Sequence, residues 1–154
     1  MTHIARTADI ATCRALRRRV FIEEQGVSEA DEVDDLDGEA IHLLAVAAGR
    51  PVGTARLLIQ GGTGKIGRVC VLAEARGEGI GAALIRAAVA DLAAMPGVSR
   101  AKLGAQVHAL GFYERLGFVA VGPVYLDAGI EHRDMVLGLP PAAGGSDNGT
   151  PPEG

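Results

Sequence analysis

Apolar residues recur at spacings of three and four between residues 9 and 25, which places Ile10, Cys13, Leu16 and Val20 on one face of a predicted helix. Asp9 stands where a cap belongs and Gly26 where a helix stops. Further on, the pattern changes to short apolar runs between turns. A short strand is predicted over 3–8, and AIHLLAVAA (40–48) suits a buried strand. The turn Gly49-Arg50-Pro51 leads into VGTARLLIQ (52–60), and Gly61-Gly62-Thr63-Gly64 into KIGRVCVL (65–72), which is β-branched at 66, 69 and 71. After the run Arg76-Gly77-Glu78-Gly79-Ile80-Gly81 the helical period returns in Ile80, Leu84, Ala88 and Leu92, and Pro96-Gly97 ends it. RAKLGAQ (100–106) reads as a strand and HALGFYERL (108–116) as a short helix stopped by Gly117. Within that helix Gly111 costs about 1 kcal/mol relative to alanine. Segments 118–126 and 132–138 close as a strand pair around Asp127-Ala128-Gly129. Together these elements predict an α/β or α+β fold, with a mixed sheet of six or seven strands flanked by helices.

Length and composition narrow this to one domain. The chain has 154 residues, 48% of them hydrophobic and 22% charged, which excludes wholesale disorder. No uncharged run exceeds 12 residues, too few for a membrane helix, which needs roughly 20. The domain is expected over 1–139, with a disordered tail over 140–154 that is rich in Pro, Gly, Ser and Asn. Two cysteines, Cys13 and Cys70, are too few for a disulfide framework and predict free thiols in a reducing cytoplasm.

The charge is unevenly spread. Residues 23–39 carry nine of the 19 acids and no lysine or arginine, which reads as a solvated acidic loop. As a calcium loop with Gly38 at its sixth position it fails, because Asp35 and Asp37 fit but Val33 and Leu44 do not. The sequence pI near 5.5 gives no support to a nucleic-acid partner.

Three phosphate-binding readings compete for the glycines. A phosphate loop around Gly64-Lys65 fails, since Ile59 stands where its first glycine belongs and Ile66 where Ser or Thr must hold magnesium; a hairpin turn fits better. Gly77, Gly79 and Ala82 match the loose dinucleotide pattern, but no acid lies between Asp91 and Glu114 to hold a ribose. The third reading is a pyrophosphate loop in which a basic residue and alternating glycines open a helix. Backbone N–H groups there can converge on phosphate oxygens, helped by the helix N-terminus.

Two stretches, RVCVLAEARGEGIGAALIRAA and ALGFYERLGFVAVG, resemble motif A and the second signature of the GNAT superfamily of N-acetyltransferases. LRRRVFIEEQGVSEADEVDDLD and DAGIEHRDM are similar to its small bacterial ElaA-like branch, and the resemblance covers residues 10–137. It implies a mostly antiparallel sheet, acetyl-CoA as cosubstrate and direct attack by an amine in a ternary complex. The backbone of Val69, Cys70 and Val71 would line the pantetheine arm, with the N–H of Val71 or Leu72 polarising the thioester. The run Arg76, Gly77, Glu78, Gly79, Ile80 and Gly81 would receive the pyrophosphate. Tyr113 would donate a proton to the leaving thiolate, although composition alone makes it a half-buried aromatic. The general base stays open among Glu23, Glu24, His42 and His132, with Glu24 and His42 ranked first; a lone histidine in an apolar strand is more often a hydrogen-bonded core residue. Cys70, between two valines, reads as inert packing rather than as a nucleophile. Implied partners are a small-molecule or peptide amine acceptor, with no nucleic acid, no membrane and no metal, in a monomer or homodimer. A different class, a non-catalytic module that senses CoA or acetyl-CoA, is the alternative.

Overall fold

The computed structural model describes residues 2–140; the tail from 141 onward, expected to be disordered, lies outside them. Seven strands make one mixed sheet: β1 (Thr2–Thr7), β2 (Ile41–Ala47), β3 (Arg50–Gln60), β4 (Thr63–Val71), β5 (Arg100–Gln106), β6 (Val119–Asp127) and β7 (Ile130–Gly138). Their order is β1-β2-β3-β4-β5-β7-β6. Of the pairings described, β4 with β5 is parallel and the rest are antiparallel. The helices are α1 (Ile10–Arg17), α2 (Glu29–Glu32), α3 (Ile80–Ala93) and α4 (Leu110–Glu114). The chain divides into two compact units, one of residues 1–58 and 66–88, the other of 59–65 and 89 onward.

In the first unit Asp9 caps α1, its carboxylate accepting from the Thr12 N–H at 3.1 Å, and Cys13 and Leu16 face the core. The helix predicted to continue to residue 25 instead widens after Arg17 into a π-helical segment, Arg18–Glu24, in which the Gln25 N–H donates to the Val20 carbonyl. In a regular α-helix Glu24 would share a face with Val20, which is buried. In this segment Val20 is buried and Glu24 is exposed. Leu16, Val20, Cys70 and Leu72 form one buried cluster, against which Phe21 and Leu44 pack.

The acidic stretch is not the solvated loop expected from its charge. Ser28 caps α2, and Glu32 and Asp37 are turned inward onto arginines. Arg17, 1% exposed, donates to Glu32 at 2.9 Å and to both oxygens of Asp37 at 3.1 and 2.8 Å. Arg56 donates to Asp34 and Asp37, Arg14 to Asp37, and Arg68 to Glu32 and Asp34. Arg56 and Arg68 sit in strands, so the acidic segment is fastened to β3 and β4 by charge where it has few apolar residues to bury.

In the second unit β7 pairs with β5 from His132↔Gln106 to Gly138↔Arg100. It also pairs with β6 around a turn at Ala128 and Gly129, both at positive φ. The turn predicted over 61–64 closes earlier, with Gly61 at φ +59°, and Gly64 lies inside β4. A Cβ on Gly64 would fall 2.3 Å from a Leu92 methyl carbon, so glycine is required there for packing against α3, not for phosphate.

Candidate active site

The first unit carries the glycine loop. β4 ends at Val71, a short turn spans Ala73–Ala75, and Arg76 through Gly79 lead into α3, whose first helical bond runs from the Ala83 N–H to the Gly79 carbonyl at 3.0 Å. Gly77 and Gly79 take φ values of +85° and +78°, and the positions their Cβ atoms would occupy are open. Arg76 before them is extended, at φ −75° and ψ 158°, and left-handed residues in such a loop let neighbouring N–H groups turn toward an anion. The first turn of α3, starting at Ile80 and Gly81, adds N–H groups without helical acceptors. Glu78 is exposed within this loop, and Ile80 anchors it in the core.

Upstream, Cys70 and Leu72 face the core while Val69 and Val71 are half-buried. Burial pushes the Cys70 thiol up to about 12, so it stays protonated and unreactive at neutral pH. The recorded ladder between β4 and β5 covers Thr63–Lys65. Arg68 sits at φ +50°, a conformation that non-glycine residues rarely adopt, and is held there by the Glu32 carboxylate at 3.1 Å and the Glu32 carbonyl at 2.9 Å. Sequence reasoning missed this residue and its partners. The available signal was an arginine in each of two apolar strands, opposite nine acids that had no neighbouring base.

Arg76 is engaged with the residue ranked first as base. Its Nε donates to the Val71 carbonyl, and its two terminal nitrogens donate to the two oxygens of Glu24. That hydrogen-bonded guanidinium holds the Glu24 carboxyl below its ordinary range. Glu23 is exposed, with Arg18 at 3.8 Å. His42 is 3% exposed; its Nε2 lies 2.9 Å from the Asp37 carbonyl, which can only accept, so Nε2 carries the proton. Nδ1 is then an acceptor, and it has no partner among the described residues.

The second unit carries Tyr113, on α4. Its ring is half-buried and meets Phe112 and Phe118 edge to face, with centroids 4.9 and 6.2 Å away. Burial alone raises its pKa, so the hydroxyl stays protonated across neutral and mildly alkaline pH. His132 begins β7's pairing with β5, is half-buried, donates from Nδ1 to the Ile130 carbonyl, and stacks on Tyr125 at 6.0 Å.

Residues 11–139 match the profile of the acetyltransferase (GNAT) domain. The chain belongs to the GNAT acetyltransferase family. This GNAT chain is 37% identical over 122 residues to the uncharacterized N-acetyltransferase YjcF of Bacillus subtilis, covering 79% of this chain and 86% of that one. It is 34% identical to an acyl-CoA N-acyltransferase from Pseudomonas aeruginosa, with a TM-score of 0.78 over 89% of this chain and 98% of the other. Escherichia coli ElaA aligns with a TM-score of 0.79 and 28% identity, over 89% of this chain and 99% of ElaA. The GNAT chain is thus an N-acetyltransferase by family, and its seven-stranded sheet is the fold of that family. No helix among the described residues is long and apolar enough to cross a membrane.

Proposed function

We propose that this N-acetyltransferase moves an acetyl group from acetyl-CoA to a primary amine on a small molecule or peptide. The amine nitrogen attacks the thioester carbon, the C–N bond forms, and the C–S bond breaks. The departing thiolate takes a proton from Tyr113, and the amine gives one to a base. The observation that carries the reading is the loop Arg76–Gly81, with two left-handed glycines whose Cβ positions are open. The diphosphate would sit on that loop. The backbone of Val69, Cys70 and Val71 would pair with the amide-bearing pantetheine arm, and the Val71 or Leu72 N–H would polarise the thioester oxygen.

Between Glu24 and His42, the difference in accessibility favours Glu24 as the base. Glu24 is exposed, and its ion pair with Arg76 is screened by solvent and open to exchange. His42 is buried, with its Nε2 on the Asp37 carbonyl. Glu24 is therefore placed first.

Two results test the reading. Acetyl-CoA at about a hundredfold excess over its Kd should stabilise the protein by roughly 2.7 kcal/mol in a thermal-shift measurement, whereas NAD and ATP should give no comparable shift. Protection by NAD alone would restore the dinucleotide reading of Gly77 and Gly79. Gly79→Val, which forces a β-branched residue to φ +78°, should weaken acetyl-CoA binding at least tenfold by calorimetry while the protein stays folded. Unchanged affinity would remove the loop from the binding site. A module that only senses CoA would bind equally well but release no thiol with any amine.

A further inference from the structure

Arg76 opens the loop proposed for the diphosphate, yet its guanidinium is already occupied. Nε donates to the Val71 carbonyl at 3.0 Å, and the remaining fork lies on Glu24 at 2.5 and 2.7 Å, bidentate. The planar edge that would recognise a phosphate is the edge that recognises this carboxylate, because both present paired oxygens to it. Both side chains are about two-fifths exposed, at 42% and 41%, so the pair contributes little to stability and is open to exchange. A second pair crosses between the same two segments in the opposite sense: Arg19, on the π-helical segment, donates to Glu74 in the turn before the loop at 3.2 and 3.3 Å. Release of Glu24 from Arg76 leaves this second pair and the buried cluster of Val20 with Cys70 and Leu72 in place.

We propose that Glu24 is a resident counter-ion of the pyrophosphate loop, holding Arg76 in the ligand-free enzyme and giving it up to the diphosphate of CoA. The inference rests on the CoA reading above and deepens it. Glu24 competes with the ligand by filling the guanidinium fork that the ligand needs. Once displaced, its carboxylate loses the hydrogen bonds that keep it a weak base. Glu24 ends the π-helical segment, where it is exposed and meets Arg76.

The rival role, in which Glu24 merely orients Arg76 for phosphate, predicts the opposite sign. Calorimetric titration of wild type and Glu24→Gln with CoA, ADP and pantetheine separates them. Expected is three- to tenfold tighter binding of CoA and ADP to Glu24→Gln, no change for pantetheine, which lacks the diphosphate, and no gain from Glu24→Gln in an Arg76→Gln background. Glu24→Ala, carried in parallel, should behave alike, and both should melt like wild type because the pair is exposed. Unchanged or weaker CoA binding in both variants overturns the proposal and leaves the CoA reading intact. Tighter binding that persists without Arg76 also overturns it. Wild type that binds neither CoA nor ADP overturns both.

Discussion

Replacing Asp37 with alanine is expected to destabilise the fold by about 3–5 kcal/mol and to lower Tm by roughly 10 °C, the largest single effect anticipated outside the apolar core. Asp37 is 1% exposed and accepts from Arg14, Arg17 and Arg56, while its carbonyl receives His42. Without it, Arg17 keeps only Glu32 and Arg56 only Asp34, and charge is left buried with too little compensation. The effect depends on pH in a direction that the ionisation fixes. Burial alone would raise the Asp37 carboxyl, but hydrogen bonds from Arg17, Arg14 and Arg56 outweigh it and hold the group well below the ordinary carboxylate range. A depressed folded-state value means stability that is fully present above about pH 4 and lost as pH falls toward that value. Asp34, hydrogen-bonded by Arg56, shifts the same way. Urea unfolding of wild type and Asp37→Ala should therefore show a wide gap at pH 7 that narrows below pH 4. A gap under about 1 kcal/mol at neutral pH would mean that the network does not hold the acidic segment.

Tyr113→Phe should reduce turnover by about tenfold to a thousandfold while the KM for acetyl-CoA changes little. The ring keeps its contacts with Phe112 and Phe118, so only the proton is removed. CoA thiolate is a fair leaving group, which places the loss at or below the usual range for general acids. Because burial raises the pKa of Tyr113, wild-type activity should persist into alkaline pH and fall where the hydroxyl ionises. The variant should lack that alkaline limb. Full activity with an unaltered profile would return Tyr113 to packing alone, and a raised Kd for CoA would make its hydroxyl an anchor.

The strand and helix periods were legible because burial imposes them: β5 occupies the predicted 100–106, and β2, β3 and β4 lie within a few residues of the predicted spans. The loop was legible too, since only glycine takes φ near +80° at low cost, and Gly77 and Gly79 both do so. What escaped was long-range. Arg17 falls on the buried face of α1 beside Leu16, and Arg56 and Arg68 interrupt apolar strands, but nothing local says which acids answer them. Only the fold brings Glu32, Asp34 and Asp37 to these arginines, and so converts an apparently solvated charge run into a buried network. The π-helical winding was hidden for a related reason. Val20 to Glu24 fits an α-helical pattern, and the wider turn shows only in the Gln25 N–H donating to the Val20 carbonyl. The pairing of Glu24 with Arg76 could not be read from two residues 52 positions apart.

The central claim, that the loop opened by Arg76 serves a CoA thioester, is tested most directly by calorimetric titration of the wild-type protein with acetyl-CoA in competition with ADP. The account predicts one site, displacement by ADP through the shared diphosphate, and loss of both in Gly79→Val. Acetyl-CoA binding that ADP does not displace, and that survives in Gly79→Val, would contradict it.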